Sequence, residues 1–386
     1  MDPRVLDAMM PYLTERFGNP SSIYGLGREA RQGIDEARNK VAEALGCQPR
    51  EIIFTGGGSE ADNLAIKGMA LALRAEGRGN HIITSAIEHH AVLDTCKSLE
   101  KLGFTVTVLP VNGYGLVDPA ELIRALCDDT ILVSIMYANN EVGTIEPVAE
   151  LAEVTHERGA LFHTDAVQAV GSVPVDLSRL NVDLLSLSAH KLYGPKGVGA
   201  LFVRFGLKPF PLIHGGGQER HRRAGTENVA GIVALGRALE LAATELPTRT
   251  EHLQRLRDRM IAGLSAIPHS RLNGNPTLRL PGNVNMCFDY VEGESMLLNL
   301  DLAGIAASSG SACTSGSLEP SHVLLAMGIP PEIAHGSLRL TLGKDSTERE
   351  VDEVLEMLPV IIQKLRSMSP FYEERQGAKL LKGKSC

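Results

Sequence analysis

The chain has 386 residues, 44% of them hydrophobic and 22% charged, with a formal net charge of −8. That length and balance describe a globular protein of two or three domains. They exclude nucleic-acid binding as the main activity, since no basic excess is available to neutralise phosphates.

No apolar run of about 18 residues is free of charge, and the N-terminus carries no signal-peptide core, so a soluble, cytoplasmic chain is expected. Short β-rich runs alternate with helical patterns through the first two-thirds. The expected strands are Ile52–Thr55, His81–Ser85, Thr105–Leu109, Thr130–Met136, Leu161–Thr164, Leu184–Ser188 and Gly199–Val203. Between several of them apolar residues recur every three or four positions, as in Asn63–Arg74 and Ala91–Leu102, which is the period of a helix. Asp118-Pro119 and Glu146-Pro147 place proline at a first helical position. This alternation predicts an α/β large domain, a seven-stranded mostly parallel sheet between helices, with ligands at the carboxyl ends of its strands.

Residues 205–226, rich in Gly, Pro, Arg and His, read as loop. A long helical pattern then runs from Glu227 to about Ile267, interrupted near Pro247. That interruption sets the expected boundary: 1–246 as a large cofactor-binding domain and 247–374 as a smaller α+β C-terminal domain. The smaller domain would hold strands at Asn283–Asp289, Ile305–Ala307 and Ser337–Leu342 and a final helix, Glu348–Met368. Residues 375–386, polar and basic, are expected to be a disordered tail.

Six cysteines (Cys47, Cys96, Cys127, Cys287, Cys313 and Cys386) are scattered with no zinc-like spacing, as expected of reduced thiols in a cytosolic protein. Cys386 does not stand fourth from the end, where prenylation would require it.

Four features fall at expected strand ends. Leu184–Ser188 runs straight into Ala189, His190 and Lys191. A lysine just past an apolar strand is expected to be partly buried, which lowers its pKa toward the free amine that forms a Schiff base with a carbonyl cofactor. The plainer reading is a surface lysine. Thr55-Gly56-Gly57-Gly58-Ser59-Glu60 places glycines between a strand and a helix, where backbone amides can close on an anion. The plainer reading there is a tight turn with Ser59 as N-cap and Asp62 completing a capping box. Asp165 ends the strand that opens at Leu161, and a carboxylate there can keep the pyridine nitrogen of pyridoxal phosphate protonated. Capping the next helix is its alternative role. Gln168 would point the same way. Within Glu88-His89-His90 an imidazole could stack on a flat ring, and with no further ligand at metal spacing a metal site is rejected.

Together these are the parts needed to hold pyridoxal phosphate. The chain resembles class V aminotransferase-fold enzymes, and within them cysteine desulfurases of the NifS/IscS type, from Asp2-Pro3-Arg4 to Ser369-Pro370. The motifs are G-S-E-A-D-N at 58–63, E-H-H-A-V at 88–92, A-N-N-E-V-G at 138–143, H-T-D-A-V-Q at 163–168, S-A-H-K-L-Y-G-P-K-G at 188–197, R-R-A-G-T-E-N at 222–228 and S-S-G-S-A-C-T-S at 308–315. The resemblance implies that Lys191 is the Schiff-base lysine, His89 stacks on the ring, Asp165 pairs with the pyridine nitrogen and Gln168 contacts the phenolic oxygen. It implies that Gly58, Ser59, Ser188 and His190 bind the phosphate. Thr226 would reach the phosphate of a second subunit, which makes a homodimer. Asn140 and Arg339 would hold the substrate carboxylate.

The segment 306–317 contains no large side chain and is expected to be mobile. Its Cys313 could be an incidental cysteine of a linker. On the functional reading it enters the site, attacks the sulfur of L-cysteine and leaves carrying a persulfide. Lys191, displaced by the substrate amine, would take the α-proton, and His89 would relay a proton. L-alanine would leave, and the sulfur would pass to an iron–sulfur scaffold or another acceptor. The alternatives are a selenocysteine lyase or another lyase or transaminase of the same fold, and a non-catalytic sulfur-relay partner. Family members usually carry a strand and a D-N-A-A-T-T-like segment ahead of Asp-Pro-Arg. This chain opens at Met1-Asp2-Pro3, so a substrate pocket lacking that contribution is expected.

Overall fold

The computed structural model of the chain describes residues 1–309, 319–370 and 372. Cys313, Cys386 and the 375–386 tail lie outside the described residues. Seven strands pair into one sheet: β1 (Ile52–Thr55), β2 (His81–Ser85), β3 (Thr105–Leu109), β4 (Thr130–Ser134), β5 (Leu161–Asp165), β6 (Leu184–Ser188) and β7 (Gly199–Val203). Their order is β1-β7-β6-β5-β4-β2-β3. β7 runs against both its neighbours and the remaining pairs are parallel. Five of the strands are buried along their whole length, as expected of a mostly parallel sheet flanked by helices. Ile66, Met69, Ile82, Leu99, Leu132 and Leu201 belong to the core on one side of it.

The chain divides into two compact units. The first holds residues 1–110, 117–139 and 146–247; the second holds 111–116, 140–145 and the chain from Thr248 on. The second is built on an antiparallel sheet of β8 (Ser270–Leu272), β9 (Asn283–Phe288) and β10 (Ser337–Thr341), in the order β10-β9-β8. Its core gathers Met260, Phe288, Leu300, Leu338 and Leu358. The closing helix Glu348–Ser367 starts with a full capping box, Thr347 exchanging hydrogen bonds with Glu350. Among the described residues no helix is long and apolar enough to cross a membrane.

Several elements differ from expectation. The helix Val229–Ser265 continues through Pro247. Proline removes one hydrogen bond from a helix interior, and the strong helix formers on either side, from Leu239 to Ala243 and from Glu251 to Leu256, carry the helix across it. Ile305–Ala307 is not a strand; only Ser308 bridges to Arg339. β4 stops at Ser134, whereas β5 extends to Asp165 because Asp165 still pairs with Ser186. The helix anticipated at Asn63 begins at Gly58 and passes through a wide turn, Leu64–Gly68, into Met69–Ala75. Pro147 caps the helix Val148–Glu157 instead of opening it. Within 205–226 lies one tight turn, Gln218–His221, with Glu219, Arg220 and His221 at positive φ.

Candidate active site

The buried strand β6 ends in a 3₁₀ turn, Ala189–Leu192, closed by Tyr193 at a positive φ of 62°. The turn faces Ala189 and Leu192 inward and leaves His190 and Lys191 exposed. Lys191 is therefore presented at the strand end and not hidden by it, which corrects the expectation of a partly buried amine. Ser188 Oγ and His190 Nδ1 lie 2.7 Å apart.

Beside β6, Asp165 closes β5 and is only 6% exposed. One oxygen, Oδ1, accepts the Val167 amide at 2.9 Å; a turn and not a helix follows, so this bond closes the turn and the helix-capping alternative does not apply. Burial pushes the carboxyl up to about 6, against the opposing pull of that amide and of the Lys191 charge. His89 caps the helix His90–Glu100, its Nδ1 accepting the Ala91 amide at 3.1 Å. An accepting Nδ1 leaves the proton of a neutral ring on Nε2. The ring is held neutral by burial first, then by His90 and by Lys191. Lys191 thus acts electrostatically on both Asp165 and His89. Gln168 is half-buried on the turn after Asp165.

The glycine turn after β1 closes on the same place. Thr55 Oγ1 donates to the Gly57 carbonyl at 2.9 Å, and the Gly56 amide donates to Glu60 at 2.7 Å. Gly57 is the N-cap of the helix Gly58–Asn63 and no side chain caps its first amides. Ser59 is exposed and Asp62 buried, so the capping box anticipated between them does not form. A Cβ on Gly58 would stand 2.7 Å from Val167 Cγ2 and 3.6 Å from Ser188 Cβ. A Cβ on Gly199 would meet Gly57 backbone atoms at 2.7 and 2.9 Å. The turn after β1 therefore meets the turn after β5 and the start of β7 at glycine-only distances and touches the end of β6 at ordinary contact, leaving uncapped amides beside a buried carboxylate and an exposed lysine. This donor set fits an anionic group at the turn, a cationic ring nitrogen at Asp165 and a carbonyl at Lys191, which are the three handles of pyridoxal phosphate. Thr226, on the other hand, is exposed in the segment leading to the long helix.

Asn140 and Arg339 belong to the second unit, where Arg339 Nη1 donates to the Asn140 carbonyl at 3.0 Å. Arg339 is half-buried on β10. Its neighbour Glu141 is pushed up to about 7 by burial, opposed by a hydrogen bond from Ser321 and by the Arg339 charge. Sequence reasoning did not single out Glu141, nor the buried His163, Ser134 and Ser186, and it gave Asp62 only a capping role. The available signal was a polar residue inside each apolar strand, at His163, Ser134 and Ser186.

The family model for Aminotransferase class-V matches residues 1–354. A protein named cysteine desulfurase IscS from Methanosarcina thermophila is 60% identical over 366 residues, covering 95% of this chain and 90% of that protein. One of the same name from Dictyoglomus turgidum is 57% identical over 371 residues, covering 96% and 94%. A solved structure titled NifS-like protein superposes with a TM-score of 0.88 at 41% identity, covering 94% of this chain and 96% of that one.

Proposed function

The chain belongs to the class-V aminotransferase family and is a pyridoxal-phosphate-dependent cysteine desulfurase, and we propose that it passes the sulfur of L-cysteine through Cys313 to an acceptor. The observation that carries the assignment of residues is the meeting of Gly58, Asp165, Ser188 and Lys191 at the ends of β1, β5 and β6. Gly58, Ser59, Ser188 and His190 would hold the phosphate, His89 would stack on the ring, Gln168 would contact its phenolic oxygen, and Asp165 would pair with its nitrogen. When bound, the cofactor supplies an electron sink next to the substrate's α-carbon.

Lys191, exposed at the turn, is the residue that would hold the cofactor's carbonyl carbon, and its amine would take the α-proton of the substrate. Asp165 stabilises a protonated ring nitrogen, because a buried carboxylate is worth most opposite a cation. Neutral His89 presents Nε2–H as a proton donor. Asn140 and Arg339 hold the substrate carboxylate. The Cys313 thiolate attacks the substrate sulfur: an S–S bond forms, the C–S bond breaks, and its electron pair stays with the carbon fragment. After protonation that fragment leaves as L-alanine, and Cys313 is left as a persulfide for an iron–sulfur scaffold or another acceptor. Thr226 completes the phosphate site of a second subunit in a homodimer working in the cytoplasm.

The test is Cys313→Ala. The variant should keep the yellow bound cofactor and a borohydride-reducible adduct on Lys191 while losing sulfide production from cysteine. Wild-type turnover in that variant refutes the covalent step, and a colourless protein in excess cofactor refutes the whole assignment.

A further inference from the structure

The face of the sheet beneath the helix Gly58–Asn63 carries a band of buried polar side chains. Registers pair Thr84 with Ser134, Ser134 with His163 and Asp165 with Ser186. Paired residues, and residues two apart on a strand, share a face, so all five lie on one side of four neighbouring strands. Every one of them is at most 6% exposed. Polar groups are not placed there for sheet packing, since strands buried on both faces are ordinarily apolar.

These side chains form a relay. Ser134 Oγ lies 2.8 Å from His163 Nδ1, and His163 Nε2 lies 2.9 Å from Ser186 Oγ. Ser186 also interacts with Asp62, whose side chain descends from the helix above and is 1% exposed. Asp62 Oδ1 has no hydrogen-bond partner and stands 3.7 Å from His163 Nε2. A buried carboxylate with a bare oxygen is costly, whereas a carboxylic acid there needs only one acceptor.

We propose that Asp62 is a positioning residue for Asp165: it carries a proton, donates it to Ser186, and so leaves Asp165 as the single negative charge at the β5 end. The groups facing Asp62 agree. Burial is the first cause that raises the Asp62 pKa, the charge of Asp165 on β5 adds to it and Glu88 after β2 adds least, with Ser186 opposing them. His163 is held neutral by burial, its pKa pushed down to about 3, so it supplies no cation to offset an Asp62 carboxylate. Cys96, from the helix above β2, is pushed up to about 12 by burial and stays a thiol. Lys191 pulls on Asp165. β1 and β7 bring Thr55 and Gly199, neither of them ionisable.

The arrangement has a directional consequence. A serine hydroxyl has one proton to give. If Asp62 donates to Ser186, then Ser186 donates to His163 Nε2, and the ring proton must sit on Nδ1, donated to Ser134. If Asp62 is ionised, Ser186 turns to donate to it and the ring proton moves to Nε2. The tautomer of His163 therefore reports the protonation of Asp62.

This inference rests on Asp165 facing the ring nitrogen, but its test is made on the full chain without cofactor, so the two can fail separately. Nitrogen NMR of the histidine-labelled apoprotein, with His163 assigned by loss of its signals in His163→Gln, should show Nδ1–H at neutral pH. The infrared difference between wild type and Asp62→Asn should show one protonated-carboxyl band lost at the same pH. Raising the pH until that band disappears from the wild type should switch His163 to Nε2–H. An Nε2–H tautomer at neutral pH, or no band lost in Asp62→Asn, overturns the proposal. Failure of the wild type to bind pyridoxal phosphate would count against the functional assignment and leave these readouts unchanged.

Discussion

Gly58→Ala tests the junction of the three strand-end turns most directly. The new methyl would stand 2.7 Å from Val167 Cγ2, where ordinary contact begins at 3.4 Å, so the turns after β1 and β5 must part by about 0.7 Å. Val167 cannot yield cheaply, because a β-branched side chain has few χ1 options. Overpacking of this kind costs roughly 1–3 kcal/mol. If the strain falls on the cofactor-loaded arrangement, that is a loss of roughly 5- to 150-fold in pyridoxal phosphate affinity, at about 1.4 kcal/mol per tenfold. Absorbance titration of apoprotein with the cofactor measures it, with thermal unfolding of the apoprotein as the control for global damage. Val167→Ala removes the offending Cγ2, so the double variant should recover most of the affinity. Gly58→Ala binding the cofactor like wild type, or a double variant as impaired as the single one, refutes the reasoning.

Arg38 is buried, donating to the Ile52 carbonyl and to Glu219, each at 2.6 Å, with its guanidinium over Phe54. Arg38→Met strands the Glu219 charge and should cost roughly 3–5 kcal/mol in urea unfolding; a loss below about 1 kcal/mol would contradict that. Glu88, which accepts from Ser85 Oγ and the Met136 amide, is raised from 4.5 to about 8, mainly by burial. A raised folded pKa gives stability that is full below the unfolded value and lost as pH climbs through the folded one. Glu88→Gln lacks that titration, so the wild type should lose ground to it between about pH 5 and 8, by roughly 1.4 kcal/mol per unit at most; parallel Tm curves would refute this. Cys96 and Cys287 are buried, with thiols pushed up to about 12 and about 11 by burial, and Cys127 is exposed. Alkylation of the native protein followed by peptide mass spectrometry should therefore label Cys127 well before the other two, and equal rates would count against the packing around them. Mixed dimers of Lys191→Ala and Thr226→Ala subunits test the shared phosphate site: activity recovered on mixing supports it, and strictly additive activity does not.

Much of the large sheet was legible from local signals. Five of its seven strands have the anticipated bounds, because short apolar runs ended by Gly, Ser or His are read without knowing their neighbours. Asp165, Lys191 and the glycine turn likewise stand at the strand ends where they were expected. The exposure of Lys191 was not legible, since it depends on which side of a 3₁₀ turn faces the core. Nor was the helix through Pro247, where the flanking helix formers outweigh one missing donor. The pairing of Asn140 with Arg339, 199 positions apart, has no local signature at all. The buried band shows the same division. A strand's alternation says that His163 and Asp165 share a face, but only the order β2-β4-β5-β6 sets Ser134 and Ser186 on either side of them, and only the helix packed above brings Asp62 into line. Residue type and spacing determined the chemistry this chain can perform. The neighbours of each carboxyl, and so where its protons reside, were decided by strand order and packing, because desolvation and charge act through space and not along the chain.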